Sequence, residues 1–461
     1  MKKITTDGNG AAAQAAYFFS EVAALYPITP SSGMGDYIES QAQKGHTNLY
    51  GKRVEVVQMQ SEAGAAAAVH GALVAGSLAT TFTSSQGLLL MIPNMYRMAG
   101  EMLPAVMHVA ARSLAVQALS IFADHSDVMA VRQTGFVMLA SSSVQEAHDM
   151  AVLAHTVSLE AELPFLHFFD GFRTSNEMQQ IEVLEDLEMA SLLDQQALYR
   201  FRDRALRPDQ PKVLGAAQNA DVYFQGREVS NRFYDRVPEW IEEKCRALEA
   251  LSGRSYRLYE YVGAPDAEQI IVGMGSAMEA IEHTVDYLMA QGHKVGCIKV
   301  RLYRPFALER FAEVVPSTVK EVIVLDRTKE PGSAGEPLYL DVVAALHQRQ
   351  ELSIIGGRYG LGSKELNPTM IAALFHQGLG NLSSGFTIGI EDDLTQRSIT
   401  VAHEGIDVEQ EDVSGAIFWG FGSDGTVGAC RHTVKLIAEQ TDYFAQGHFV
   451  YDSKKAGGVT T

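Results

Sequence analysis

The sequence predicts an α/β protein whose first unit is a doubly wound parallel sheet, followed by a second, smaller α/β unit and the beginning of a third. Short apolar runs alternate with Ala-rich helical patterns through residues 1–175. The same alternation resumes near residue 258, and a further apolar run with a glycine-rich turn begins at residue 414. Such alternation is typical of parallel sheets covered by helices on both faces, which bind ligands beyond the carboxyl ends of their strands.

The first unit is predicted to join each pair of successive strands through a helix, which is the connection that parallel strands require. The predicted strands span residues 22–26, 53–59, 79–83, 105–110, 136–140 and 165–169. The predicted helices span residues 11–20, 33–44, 62–76, 86–101, 126–132 and 143–160.

Residues 180–255 are charged and rich in Arg, Glu and Gln, which predicts helices and an extended arm packed over the first unit. The second unit is predicted from the apolar runs EQIIVGMG, KVGCIKV and KEVIVLD, and the third from GAIFWGFGSDGTVGACRHTVKLIAEQ and HFVYD. We therefore place the domains at 1–255, 256–413 and 414–461. One strand, turn and helix cannot bury their own sheet faces, so we expect the third unit to need further polypeptide.

The composition excludes several classes of protein. The chain has 461 residues, 46% hydrophobic and 20% charged, with a net charge of −19, which disfavours binding to nucleic acid or anionic lipid. No apolar run reaches 18 residues and the start lacks the apolar core of a signal peptide, so we expect a cytoplasmic protein without a membrane span. Cys245, Cys297 and Cys430 are far apart, which argues against a disulfide framework, a zinc site or an iron–sulfur cluster built by this chain alone.

Glu62 lies between a strand-like run and the small-residue stretch AGAAAAVHGA. An acid in the first turn of a helix complements the helix dipole, and that role alone would account for it. A solvent-exposed helix end does not need so many small residues behind it, and these indicate a helix packed closely against something. Glu62 is therefore either a helix-terminal acid or a ligand of a buried group, and His70 on the same helix is interpreted as a packing residue.

Two further polar segments follow predicted strands. In YPITPSS the prolines hold the loop extended, and the hydroxyls of Thr29, Ser31 and Ser32 either cap the next helix or bind a small anion. In AARS, Arg112 follows an apolar strand, where its guanidinium either forms a structural ion pair or clamps a carboxylate. Both segments are thus candidates for holding a small anion.

Other motifs give weaker signals. Gly420–Gly425 fits the dinucleotide pattern G-x-G-x-x-G, but no acid ends a second strand about 20 residues on, and a tight strand-to-helix turn is the favoured explanation of the glycines. In FADHSDVMA, which carries Asp124, His125 and Asp127, a helix cap by Asp124 or Ser126 is favoured over a metal site. The sequence contains neither G-x-x-x-x-G-K-[ST] nor the G-D-G and N-N pattern that holds a magnesium diphosphate.

Taken in order along the chain, these segments resemble the pyruvate:ferredoxin (flavodoxin) oxidoreductase family. The resemblance covers essentially the whole chain, through YPITPSS, QSEAGAAAAVHGAL, TTFTSSQGLLLMIPNMYRMAGE, HVAARSLA, FADHSDVMAVRQTGF, PFLHFFDGFRTSNE, GRYGLGSKE, GFGSDGTVGA and YDSKKAGG. It implies that residues 1–255 form a thiamine-diphosphate-binding, transketolase-like domain that receives the aminopyrimidine. Residues 256–413 would be a companion domain of the transketolase C-terminal type, and residues 414–461 the opening of a gamma-like third domain.

The resemblance also implies roles for individual residues. Glu62 matches the family glutamate that hydrogen-bonds N1′ of the aminopyrimidine, and burial of a carboxyl disfavours its charged form, so that it can share a proton with that nitrogen. Thr29 and Arg112 match the threonine and arginine that hold the pyruvate carboxylate. Lys454 and Lys455 match YDSKK, where a solvated face is favoured over contacts to the phosphates of coenzyme A.

The implied activity is oxidative decarboxylation of pyruvate to acetyl-coenzyme A on thiamine diphosphate, with electrons passed to ferredoxin or flavodoxin. The magnesium-diphosphate and iron–sulfur domains are expected outside this chain, which would be inactive alone and would act within a homo-oligomer, without nucleic acid or membrane. Three alternatives stay open: the equivalent region of an oxidoreductase for another 2-oxo acid such as 2-oxoglutarate, a non-catalytic assembly module, and a nicotinamide-dependent dehydrogenase.

Overall fold

The computed structural model contains three β-sheets, with seven, six and three strands. It describes residues 1–378, 380–392, 394–401, 405–408 and 413–451. We call the first two the large sheet and the second sheet, and we call residues 1–255, 256–413 and 414–461 the first, second and third units. Each sheet of the first two units is parallel in its interior and packed with helices, so the predicted α/β fold class is confirmed. Within the described ranges, no helix combines the length and apolar character needed to cross a membrane.

The first unit follows the predicted alternation. Its strands are β1 (Lys2–Thr6), β2 (Val22–Leu25), β3 (Glu55–Gln58), β4 (Ala79–Thr83), β5 (Val106–Ala111), β6 (Val137–Ala140), β7 (Phe165–Asp170) and β8 (Met178–Val183). Its helices are α1 (Gly8–Phe19), α2 (Ser32–Gln43), α3 (Glu62–Val74), α4 (Ser85–Leu90), α5 (Ile92–Gly100), α6 (Ser126–Ala130), α7 (Val144–Ala161), α8 (Asp186–Ser191), α9 (Gln195–Asp203), α10 (Ala220–Glu228), α11 (Asn231–Tyr234) and α12 (Val237–Ser252).

All the strands and helices predicted before residue 175 form, with one division. The helix predicted over residues 86–101 is split at Met91 into α4 and α5, because Pro93 stands in the first turn of α5 and lacks the N–H that a continuous helix needs. The sequence analysis missed β1 and β8, which pair antiparallel with each other outside the large sheet. Both strands are rich in polar residues and carry no apolar run.

The second and third units continue the chain with smaller elements. Their strands are β9 (Tyr259–Gly263), β10 (Gln269–Gly273), β11 (Val295–Val300), β12 (Leu302–Arg304), β13 (Glu321–Asp326), β14 (Ser353–Arg358), β15 (Phe386–Thr387) and β16 (Gln446–Gly447). Their helices are α13 (Ala277–Ala290), α14 (Leu308–Val314), α15 (Pro337–Leu346), a 3₁₀ turn (Leu361–Ser363), α16 (Pro368–Gln377) and α17 (Thr426–Gln440).

The large sheet positions the site. Its strand order is β12-β6-β7-β5-β4-β2-β3, and every pair but β12–β6 is parallel. Strands β4 to β7 are buried along their whole lengths, which requires cover on both faces. Helix α1 packs against α2 and α7, whereas α3 packs against α4 and α5. The carboxyl ends of β5, β4, β2 and β3 therefore stand side by side at one edge.

The second unit is joined to the first through a strand. The second sheet has the order β15-β14-β13-β10-β11-β9, with only β9 antiparallel to its neighbour. The short strand β12 leaves this unit and pairs antiparallel with β6 of the large sheet. Beside it, Arg301 and Glu146 form a buried ion pair at 2.7 Å. The second unit is thus held to the first by main-chain pairing and buried charge.

The third unit differs from its prediction. Residues 414–421 form no strand, and Trp419 and Phe421 are 88% and 93% exposed. A strand is stable only when its N–H and C=O groups are paired. Among the described residues, no strand pairs with this segment. In place of the predicted strand HFVYD, β16 forms just before it and pairs with β8. Lys454 and Lys455 lie outside the described residues.

Candidate active site

The candidate active site lies at the carboxyl edge of the large sheet. Thr29 follows β2, Glu62 begins α3 after β3, residues 84–87 follow β4, and Arg112 follows β5. Because these strands are neighbours, the four segments meet at one edge. A small cleft opens at the ends of β2 and β3, with walls that include Leu25, Gln58 and Phe82, and its lining does not include Thr29, Glu62 or Arg112. The residues that the resemblance singled out therefore occupy the edge where an α/β sheet binds its ligand.

Glu62 is a buried acid without a partner. It is the first residue of α3 and only 7% exposed. Ser61, not Glu62, caps the helix, because the Ser61 hydroxyl accepts a hydrogen bond from the N–H of Gly64 at 3.1 Å. Within the part of the chain that the structure describes, no group donates to the Glu62 carboxylate. Its oxygens are not among the fully enclosed side-chain atoms that lack a partner, so the carboxylate is open to a ligand.

The Glu62 carboxylate packs directly against Gly87. A Cβ built on Gly87 would lie 2.6 Å from Oε1 of Glu62 and 2.7 Å from Oγ1 of Thr83, too close for either atom to stay where it is. Glycine at position 87 is therefore what allows the Glu62 carboxylate to lie there. The Thr83 hydroxyl is itself buried and has no hydrogen-bond partner among the described residues. A carboxylate and a hydroxyl that both lack a partner can bind the edge of a flat heterocycle with a hydrogen-bonding nitrogen, such as an aminopyrimidine.

Arg112 and Thr29 are brought together by the fold. Nη1 of Arg112 donates to the main-chain oxygen of Thr29 at 2.8 Å, and Nε donates to the oxygen of Ser120 at 3.4 Å. Arg112 is 8% exposed, and burial lowers the pKa of its guanidinium, with Asp127 acting in the opposite direction. A guanidinium carries five N–H donors, so Arg112 retains donors that can bind a carboxylate.

The YPITPSS loop is closed by its own contacts rather than by a helix cap. Ser31 stands at the N-cap of α2, but its hydroxyl donates to the oxygen of Ile28 at 2.8 Å instead of accepting from the helix. Nδ2 of Asn9, on α1, donates to the oxygen of Pro30 at 2.9 Å. The loop that carries Thr29 is therefore fixed from α1, through a buried asparagine that the sequence analysis did not single out.

Asp127 connects the segment that contacts Glu62, residues 84–87, with the segment that carries Arg112. Its Oδ2 accepts hydrogen bonds from the N–H of Ser85 at 2.7 Å and from the N–H of Arg112 at 3.0 Å. Asp127 is fully buried, and burial raises its pKa to about 7 against the opposing effect of those N–H groups. The sequence analysis gave this residue no role, and no local pattern could have done so, because its partners are remote in the chain.

The remaining motifs have structural explanations. Asp124 accepts from the N–H of Ser126 at 3.0 Å, but the N-cap residue of α6 is His125 and no side chain caps the helix, so the favoured cap by Asp124 or Ser126 does not form. The described residues contain no group of three or more His, Cys, Asp or Glu side chains that could hold a metal ion. His70 pairs with Glu101 at 2.7 Å, as a packing residue does. The turn over 420–425 follows no strand, so the context that a dinucleotide fingerprint requires is missing there.

Comparison with known proteins places this geometry in a family. Residues 14–245 match a family model described as the thiamine-diphosphate-binding domain of pyruvate flavodoxin/ferredoxin oxidoreductase. Residues 267–371 match the model of pyruvate:ferredoxin oxidoreductase core domain II. A 2-oxoglutarate:ferredoxin oxidoreductase from Magnetococcus marinus shares the fold, with a TM-score of 0.58 and 20% identity over 81% of this chain and 65% of that one.

Curated relatives match along the whole chain. Pyruvate:ferredoxin oxidoreductase of Moorella thermoacetica is 56% identical over 100% of this chain and 39% of that protein. Pyruvate-flavodoxin oxidoreductase of Enterobacter agglomerans is 52% identical over 100% of this chain and likewise 39% of its own length. The chain thus spans 39% of these relatives. With residues 14–245 matched by its model, the chain belongs to the pyruvate flavodoxin/ferredoxin oxidoreductase family.

Proposed function

We propose that this chain supplies the aminopyrimidine and substrate-carboxylate contacts of an enzyme that oxidatively decarboxylates pyruvate to acetyl-coenzyme A and carbon dioxide. Residues 1–255 would serve as the aminopyrimidine domain, 256–413 as its companion and 414–461 as the opening of a third domain. Magnesium, the cofactor diphosphate, iron–sulfur clusters and ferredoxin or flavodoxin would be bound by other parts of a homo-oligomeric enzyme. The relatives' names support pyruvate over 2-oxoglutarate.

The unpartnered Glu62 carboxylate carries this proposal. A carboxyl group placed beside a heterocyclic nitrogen can exchange a proton with it. Glu62 would hold and share the proton at N1′ of the aminopyrimidine. Gly87 leaves room for the Glu62 carboxylate itself, and the Thr83 hydroxyl offers a further hydrogen bond. Thiamine diphosphate, when bound, supplies the electron sink that decarboxylation of a 2-oxo acid requires.

Arg112 and Thr29 orient the substrate in this proposal. The guanidinium would bind the pyruvate carboxylate through the N–H groups that it does not use on Thr29 and Ser120. The exposed Thr29 side chain stands at the same place and can donate its hydroxyl proton to that carboxylate. A charge-assisted contact of this kind is worth about 1.5–3 kcal/mol, and it fixes the keto group for attack.

Glu62→Gln in the complete enzyme tests the proposal. Glutamine keeps the shape but cannot exchange the proton, so turnover on pyruvate should fall about 10²-fold or more while the protein stays folded. The matched control is Glu55→Gln. Glu55 is exposed at the amino end of β3, the strand that leads to Glu62. Full activity of Glu62→Gln would refute the assigned role. Turnover with 2-oxoglutarate in preference to pyruvate would refute the substrate and leave the role of Glu62 intact.

A further inference from the structure

Asp127 lies between the two halves of the proposed site. We call Glu62, Thr83 and Gly87 the pyrimidine side, and Thr29 and Arg112 the carboxylate side. One oxygen of Asp127 accepts from Ser85, two residues before Gly87, and also from Arg112 itself. Both contacts are to main-chain N–H groups, so the carboxylate fixes backbone positions and does not use the donors of the Arg112 guanidinium.

The Ser85 contact restrains a strained turn. Ser85 has a φ of 52°, in the left-handed region that side-chain-bearing residues rarely adopt, and it is fully buried. Two contacts hold it there: its N–H donates to Asp127 at 2.7 Å, and its hydroxyl donates to the oxygen of Ser113 at 2.6 Å. Such strain persists only where the surroundings enforce it, and it is common at active sites. Here the strained turn places Gly87 against the Glu62 carboxylate.

Asp127 is fixed in turn by the second unit. The N–H of His125 donates to the oxygen of Arg327 at 2.8 Å. The N–H of Ala123 donates to the hydroxyl of Ser363 at 2.9 Å. His125 also contacts Asp170 at 2.8 Å, and Asp170 pairs with Arg327 at 3.0 Å. The segment leading into α6 is therefore bonded to loops that follow β13 and β14, and these bonds carry Asp127 with them.

We propose that Asp127 is a positioning residue that sets the distance between the pyrimidine side and the carboxylate side, with the second unit as its anchor. This inference rests on the proposed function, since the two sides have meaning only as contacts to cofactor and substrate. Asp127 touches neither ligand. Its effect on the reaction passes through the main chain at Ser85 and Arg112.

The test compares Asp127→Ala with Asp127→Asn in the complete enzyme. Alanine removes the shared acceptor, so the pyruvate KM should rise and kcat should fall, with a combined loss of about 10²-fold in kcat/KM from misplaced groups. Asparagine keeps one carbonyl oxygen that both N–H groups can share, but its NH2 group would then face the N–H of Val128, which Oδ1 of Asp127 accepts at 2.7 Å, so it should restore only part of that loss. Hydrogen exchange of the 461-residue chain gives a readout independent of activity: amides of residues 84–87 and of Arg112 should exchange faster in the alanine variant.

Asp326→Ala is the matched control. Asp326 is likewise a buried carboxylate, and it accepts hydrogen bonds from the N–H groups of Leu338 at 2.9 Å and Tyr339 at 3.0 Å, in the second unit. Its loss should lower thermal stability without changing the pyruvate KM. If Asp127→Ala behaves in the same way, with kinetics as in the unmodified enzyme, the inference is overturned and Asp127 is purely structural.

Two further comparisons keep the result interpretable. Should Asp127→Ala not fold, the double variant with Ser85→Gly takes its place, because glycine adopts a positive φ without the carboxylate. A wild-type pyruvate KM in that double variant would also overturn the inference, because the N–H of Arg112 still lacks its acceptor there. An inactive Glu62→Gln beside an unaffected Asp127→Ala would reject this inference alone, whereas a fully active Glu62→Gln would reject the proposed function.

Discussion

Acidification should destabilise the first unit through a row of three buried histidines. Nδ1 of His108, on β5, lies 2.9 Å from Nδ1 of His167 on β7, and Nε2 of His108 lies 3.1 Å from Nε2 of His155 on α7. His167 extends the row to the hydroxyl of Ser141 at 2.8 Å. Burial lowers the pKa of His108 to about 3 and holds the pKa values of His155 and His167 well below the ordinary range.

The direction of the pH effect follows from the lowered pKa values of the histidines. An unfolded histidine takes up a proton near pH 6.5, whereas the folded row does not. The free energy of unfolding therefore keeps its full value above that pH and decreases as the pH falls. When the pH falls from 7.5 to 5.5, each such histidine lowers the free energy of unfolding by about 1.4 kcal/mol. Asp127 and Asp326, whose pKa values burial raises to about 7, bind protons in the folded state over the same range and act with opposite sign. The wild-type curve alone therefore does not isolate the histidines.

The variant His155→Gln isolates one member of the row, because glutamine does not titrate and its amide can still bond His108. We expect the unfolding free energy to change between pH 7.5 and 5.5 by about 1.4 kcal/mol less in the variant. Urea unfolding followed by the fluorescence of Trp240 reports the transition, since Trp240 is buried on α12, which packs against α7.

His347→Gln is the control for this measurement, because His347 is exposed and contacts water in both states. It should show the wild-type pH dependence. If His155→Gln also matches the wild type within the error of the urea extrapolation, the histidine row does not govern acid stability and the reasoning is refuted.

Three further predictions concern the site. Gly87→Ala should displace the Glu62 carboxylate and lower turnover of the complete enzyme, whereas Gly100→Ala, where a Cβ meets nothing, should not. Equal activities would contradict the need for glycine beside Glu62. Arg112→Ala should raise the pyruvate KM by about 10- to 10²-fold, and an unchanged KM in steady-state assays would remove Arg112 from substrate binding. The purified 461-residue chain should not reduce a viologen dye with pyruvate, thiamine diphosphate, magnesium and coenzyme A; measurable reduction would contradict its role as a partial site.

The sequence determined strands β2 to β7 and the helices between them, together with the placement of the candidate residues. Apolar periodicity and turn residues are local properties, so they fix where β2 to β7 begin and end. Thr29, Glu62 and Arg112 follow strands in the printed sequence as they do in the structure. The family resemblance was also readable, because it rests on nine short segments in one order.

Local sequence patterns do not reveal which remote segments pair with each other as strands. The strands β1 and β8 form because they pair with each other across almost the whole first unit, and β12 forms because β6 offers it an edge. The apolar residues at 414–421 were predicted to form a strand from composition, yet no strand forms there, since pairing requires a partner that composition does not supply.

Only the tertiary structure decided which candidate residues lie close to one another. Glu62 is unpaired and faces Gly87, and Asp127 joins Ser85 to Arg112, through contacts between segments that are far apart in the chain. Each of those residues has an ordinary explanation in its own local sequence, as a helix-terminal acid, a helix glycine or a surface charge. Hydrogen bonds and excluded volume depend on distances in space, and the packing of strands β2 to β5 side by side sets those distances.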